Sequence, residues 1–153
     1  MSDVPSDVRE TNRRVIEEFR ANGGVMGPPF SGGNLLLLTT TGARTGRRYT
    51  TPMMFVRLPG GPDDGRLVRL MVIASNIGAP AHPDWYRNLV AHPRVTVEVG
   101  TETFDATATT ATGEERARLW AALLESHPFF ADHQAKTSRE IPLVLLERLP
   151  DDG

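Results

Sequence analysis

Strict alternation between small apolar and polar residues over 95–109 constrains the fold most. Val95, Val97 and Val99 alternate with Thr96 and Glu98, Gly100 marks a turn, and Phe104, Ala106 and Ala108 alternate with Asp105, Thr107 and Thr109. A period of two sends successive side chains to opposite faces, so the segment reads as a β-hairpin with one buried face and a well-specified register.

Upstream, the β-prone run Asn34 to Thr41 reads as a first strand, Gly42 to Gly46 as a turn, and Tyr49 to Leu58 as a second strand. The PGGPDDG stretch at 59–65 is a loop before Arg66 to Ser75, whose LMVIA core suggests a buried strand. Ile141 to Leu146 reads as the closing strand.

Helical signals fall between the strands. Val8, Val15, Ile16 and Phe19 recur at near-helical spacing before Gly23-Gly24, which predicts an amphipathic helix over 7–21. Pro83 suits a first helical position because its missing N–H has no partner there. It opens a short helix bearing Trp85, Tyr86, Leu89 and Val90 that ends near His92-Pro93. Thr112 with Glu115 has capping-box spacing ahead of Ala117, Leu119, Trp120, Leu123 and Leu124, and a shorter helical segment follows around Phe129 to Ala135.

These elements amount to about six strands, antiparallel because short turns join them, with three or four helices. Their order predicts a mainly β, α+β fold: a closed or split β-barrel whose helices cover ends and edges. The expected organisation is a single domain over 1–153, with helix and connector over 1–33 and the barrel over 34–148. A chain of 153 residues buries roughly two-thirds of its unfolded surface on folding.

Composition narrows the chemistry. The net charge of −2 makes no global case for nucleic acid or membrane as a partner. The absence of cysteine removes disulfides, thiolate nucleophiles and zinc–thiolate sites, and suits a reducing compartment. The N-terminus lacks an apolar core of signal-peptide length and the run Leu35 to Leu38 is too short to span a bilayer, so a cytoplasmic protein without stable membrane insertion is expected.

His82, His92, His127 and His133 form no recognised metal-ligand pair, so no metal is expected, and Ser75 and Ser126 lie in no GxSxG setting. In TTTGARTGRR, Gly42 and Gly46 enclose three residues and no Lys follows, so neither a P-loop nor a GxGxxG motif applies. What distinguishes the turn is three arginines, Arg44, Arg47 and Arg48, within five residues of a slightly acidic chain. Guanidinium forks bind phosphates and carboxylates bidentately, so an anionic cofactor tail is the natural partner.

Three blocks in order, TTTGARTGRRYTTPMMF, VIASNIGAPAHPDWYRNLVAHPRVTVEV and SHPFFADHQAKTSREIPLVLLE, together resemble the deazaflavin-dependent nitroreductases, also described as F420-dependent quinone reductases. The resemblance runs from about Leu35 to Glu147 and implies a split β-barrel related to flavin-mononucleotide-binding barrels. It implies coenzyme F420, an 8-hydroxy-5-deazaflavin with an oligoglutamate tail, as cofactor. Ala43, Arg44, Thr45 and the strand Tyr49, Thr50, Thr51, Pro52, Met53, Met54 would then line it, the basic turn lying towards the tail. Ile73, Ala74, Ser75 and Asn76 would surround the ring, with Asp84, Trp85, Tyr86, Arg87, Asn88 and Phe130 as further contacts.

The acceptor pocket implied by the resemblance holds Met54, His127, Phe130 and His133, where nitroimidazole-activating members carry several tyrosines. That departure concerns the acceptor and not the fold. The implied activity is hydride transfer from reduced deazaflavin to a quinone, nitroaromatic or activated alkene, in a pocket near Met54, Trp85 and Phe130. His133 is the candidate proton donor; no catalytic residue is assigned. The chain would be a monomer or homodimer. The alternatives from other classes are a flavin-mononucleotide-dependent oxidoreductase on the same barrel, and a non-catalytic cofactor-binding barrel.

Overall fold

The computed structural model describes residues 6–26, 35–58, 69–75, 78 and 80–149. Among them are four helices and seven strands: α1 (Ser6–Ala21), β1 (Leu35–Thr41), β2 (Arg48–Met54), β3 (Val56–Arg57), β4 (Arg69–Ile73), α2 (Asp84–Ala91), β5 (Arg94–Val99), β6 (Glu102–Thr110), α3 (Gly113–Ser126), α4 (Phe129–Ala135) and β7 (Leu143–Arg148). Asn34, the 59–65 loop, Arg66 and Asn76 lie outside the described residues. Among the described residues no helix is long and apolar enough to cross a membrane.

The strands form one sheet in the order β2-β1-β5-β6-β7-β4-β3, with every pairing antiparallel. β2 and β3 occupy opposite edges of that sheet, yet only Phe55 separates them in the chain. Two residues flanking one another's neighbour are at most about 7.6 Å apart along the backbone. The sheet must therefore curl until its edges meet, and the single strand read over Tyr49 to Leu58 is in fact two, hinged at Phe55.

Which strands alternate and which do not follows from what covers them. Leu36, Leu38, Leu70, Val72, Val95, Val97, Phe104, Ala106, Val144 and Leu146 fill the interior with Phe55. Leu35 and Leu37, on the other face of β1, pack under Phe19 and Met26, with Val15 and Ile16 beside them. Met71, Leu143 and Leu145 likewise meet Leu123 and Phe130 from α3 and α4. A strand covered on both sides reads as an unbroken apolar run, whereas β5 leaves its outer face wet and alternates. Leu89 of α2 joins the interior cluster, so this helix closes a barrel end. Arg20 forks onto Glu98 at 3.0 and 2.8 Å and fastens α1 to β5.

Three local readings need correction. Thr112 precedes α3 but makes no side-chain capping bond, because Gly113 follows with φ of +59°, a left-handed residue where a capping box needs a helical one. Pro83 occupies the capping position rather than the first turn. The last strand starts at Leu143, since Pro142 has no N–H for the ladder and its carbonyl instead accepts from Ala74 N–H at 3.0 Å.

Candidate functional site

The turn between β1 and β2 is built by its two glycines. Gly42 N–H donates to Arg47 O at 2.7 Å and Gly46 N–H to Gly42 O at 3.0 Å. Gly46 has φ of +71°, which a side chain would strain. A Cβ at Gly42 would lie 2.6 Å from Thr45 Oγ1 and 2.8 Å from the Tyr49 ring. Thr45 Oγ1 in turn accepts Arg47 N–H at 3.1 Å and bonds the Tyr49 hydroxyl at 3.0 Å.

Helix α2 pins this turn. Asn88 Oδ1 accepts Ala43 N–H at 3.0 Å, and Asn88 Nδ2 donates to the hydroxyl of buried Thr40 at 3.2 Å. Asn88 is thus a tie between helix and turn.

The three clustered arginines separate into two kinds. Arg48 donates to Thr41 Oγ1 at 2.9 Å and Thr96 Oγ1 at 2.7 Å, and Thr96 donates to Asp105, which also receives Arg94 at 2.8 Å. Hydrogen bonds from Arg94 and Thr96 hold the Asp105 carboxyl below its usual range. This network lines a groove of about 460 Å³ at the base of the turn. Arg48 thus differs from the other two arginines of the turn in that its fork is engaged by threonine hydroxyls of β1 and β5. Arg44 and Arg47 are exposed, and neither guanidinium has a partner among the described residues.

Strand geometry also divides the run 49–54. Register pairs Tyr49, Thr51 and Met53 with Thr40, Leu38 and Leu36, on the interior-facing side. Thr50, Pro52 and Met54 stand on the outer side, where Thr50 and Thr39 hydroxyls bond at 2.8 Å. The six side chains therefore divide between two faces of β2. Pro52 is tolerated because β2 is an edge strand.

Met54 and Ile73 pack into the same cluster as Phe130, whereas Trp85 and Tyr86 pack against the interior cluster. The structure thus joins Met54 with Phe130 and leaves Trp85 in a different cluster. Asp84 and Arg87 pair with each other at 3.0 Å on the surface, a contact of little energetic weight.

Around the end of β4, Ala74 and Ser75 are buried. Ser75 Oγ lies 3.3 Å from His133 Nδ1, which brings a strand end and α4 together across 58 residues of sequence. His127, Phe129, Phe130 and His133 form one aromatic group, with Phe129 and Phe130 centroids 4.3 Å apart and Phe130 and His133 5.5 Å apart. Gly78 approaches so closely that a Cβ there would sit 2.7 Å from His133 O.

Two polar residues here carried no readable signal. Arg139 Nη2 donates to Ser75 O at 2.7 Å and Nη1 to Ala74 O at 3.2 Å. Gln134 donates to Arg139 O at 2.7 Å and accepts Ile141 N–H at 3.0 Å.

A curled antiparallel sheet whose two edge strands are joined through Phe55, with helices over one end and the outer faces, is the split β-barrel. The haem storage protein HutZ of Vibrio cholerae shares that fold, with a TM-score of 0.52 over 92% of this chain and 90% of its own at 22% identity. Closer likenesses go further. The chain belongs to the F420H(2)-dependent quinone reductase family, whose sequence model matches residues 11–148.

An F420H(2)-dependent quinone reductase of Mycobacterium tuberculosis H37Rv is 36% identical over 134 residues, covering 85% of each chain. A solved F420-H2 dependent reductase, FDR-A, gives a TM-score of 0.62 at 37% identity, covering 74% of this chain and 94% of its own. A structure described as a domain-swapped dimer gives 0.65 at 36% identity, over 94% and 100%. By its family the chain is an F420-dependent reductase with coenzyme F420 as cofactor.

Proposed function

We propose that the chain passes hydride from reduced F420 to a quinone, with nitroaromatics and activated alkenes as further acceptors, and that the 43–47 turn and the Ala74–Ser75 strand end hold the cofactor. One observation carries the assignment of the turn. Of three clustered arginines, Arg48 is engaged by Thr41 and Thr96 hydroxyls while Arg44 and Arg47 stand exposed without a partner among the described residues. Two available forks on a turn pinned by Asn88 suit the phosphate and carboxylates of the F420 tail.

When bound, F420 supplies hydride chemistry in two-electron steps, and the protein supplies binding and orientation. Met54 and Phe130 offer an apolar wall from one cluster, and Ala74 and Ser75 a buried polar edge beside it. Thr51 and Met53 contribute to that face through backbone alone, because register turns their side chains inward, whereas Tyr49 is exposed and its hydroxyl bonds Thr45 on the turn. The Ser75–His133 pair, 3.3 Å apart, is the proposed source of the proton that neutralises the acceptor as its negative charge grows.

A second copy of this chain is the proposed protein partner, supported by the domain-swapped dimer of a similar chain. The reaction is assigned to the cytoplasm. Fluorescence titration tests the central reading: F420 should bind saturably where flavin mononucleotide does not. Arg44→Ala should weaken binding by about 1.5–3 kcal/mol, tenfold or more. Unchanged affinity would remove the turn from the site.

A further inference from the structure

Arg139 belongs to none of the segments assigned to the cofactor, yet its one guanidinium holds both ends of the chain between Ser75 and His82. Nη2 donates to Ser75 O at 2.7 Å, and Nη1 shares its two hydrogens between Ala74 O at 3.2 Å and His82 Nδ1 at 2.9 Å. A guanidinium only donates, so His82 Nδ1 must present a lone pair, which puts the ring proton on Nε2 and requires a neutral imidazole. Burial, then the charges of Arg139 and Arg87, hold His82 below the ordinary histidine range.

Arg139 is itself held in place. Its carbonyl accepts from Gln134 at 2.7 Å, its N–H donates to Thr137 Oγ1 at 3.3 Å, and Gln134 lies one residue beyond His133 on α4. His82 lies 4.9 Å from the Tyr86 ring, whose hydroxyl bonds Thr110 Oγ1 at 2.9 Å. A single planar fork thus joins the end of β4, the approach to α2 and the loop after α4.

We propose that Arg139, with His82 as its acceptor, is a positioning residue that fixes the spacing between the Ala74–Ser75 strand end, which the proposed function gives to the cofactor, and the start of α2, so that the strand end is held in its cofactor-binding position. The inference rests on the cofactor assignment of the preceding section. Guanidinium is the group for the task, since it serves two carbonyls and an imidazole in one plane, whereas an ammonium is a point donor.

The test uses the full chain with Arg139→Met, Arg139→Lys, His82→Phe and His82→Asn. Deuterium uptake of peptides covering residues 70–86 is measured without cofactor, F420 affinity by fluorescence, and KM and kcat by steady-state turnover. Arg139→Met and His82→Phe should speed uptake and raise the F420 Kd about tenfold, with KM for F420 rising alongside. His82→Asn, whose Oδ1 replaces Nδ1 as acceptor, should stay within about threefold of the parent, and Arg139→Lys should fall between.

If Arg139→Met does not fold, the two His82 variants decide, because both leave the guanidinium in place. Equal behaviour of His82→Phe and His82→Asn overturns the clamp, and so does weaker F420 binding with unchanged uptake. Faster uptake with unchanged F420 affinity would show that the clamp holds these segments but that their spacing does not serve cofactor binding, which overturns the positioning role and the assignment of Ala74–Ser75, while the turn is judged separately by Arg44→Ala.

Discussion

Removing the side chain of Asn88 should free the arginine turn from α2 at a measurable cost. Asn88→Ala deletes the bond to Ala43 N–H at 3.0 Å and the bond to Thr40 Oγ1 at 3.2 Å. Ala43 is exposed, so water replaces its partner and that loss is small, about 0.5–1 kcal/mol. Thr40 is fully buried, and stranding its hydroxyl costs about 1–3 kcal/mol. The sum is about 1.5–4 kcal/mol, and at about 2–4 °C per kcal/mol for a chain of this size the midpoint should fall by about 3–16 °C.

Thermal melts followed by circular dichroism, with urea titrations alongside, measure this directly. Asn88→Asp is the control: one carboxylate oxygen still accepts from Ala43, the other accepts from the Thr40 hydroxyl, and most of the stability should remain. A midpoint for Asn88→Ala within about 1 °C of the parent, or equal damage from Asn88→Asp, would refute the tie.

Phe55→Ala should cost about 3–5 kcal/mol in urea unfolding, because the residue is buried where the two sheet edges meet; a loss under about 1 kcal/mol would show the seam to be loosely packed. Asp105 is held below its usual range by Arg94 and Thr96, so its contribution to stability is present above the unfolded-state value and lost as pH falls through the folded one. Asp105→Asn should accordingly flatten the stability profile below about pH 4, and identical acid limbs for variant and parent would contradict the network.

Elements whose burial is decided locally were legible. The β5–β6 hairpin declares itself by alternation because its outer face is wet, and α1 by a stripe ending in Phe19 that meets Leu35 and Leu37. The break at Phe55 was not legible, because Met53 and Phe55 continue inward while Met54 faces out, so the period of two runs unbroken through the hinge. Nor could spacing show that Gly113 takes a left-handed φ and so disarms the Thr112 cap.

Within the site, sequence showed an arginine cluster but not its division, since Arg48 finds Thr96 only once β1 lies between β2 and β5. Arg139 escaped notice for the same reason: its partners lie 57–65 residues away and no periodicity links them.

Reoxidation of reduced F420 by menadione, followed by the return of F420 absorbance in single-turnover mixing, tests the account most directly. Stoichiometric protein should accelerate it well beyond the free cofactor, with Arg44→Ala slower at limiting F420 and restored at saturating F420. A rate equal to that of free reduced F420 at saturation would mean that the barrel binds the cofactor without catalysing the transfer, and the proposed reaction would fall.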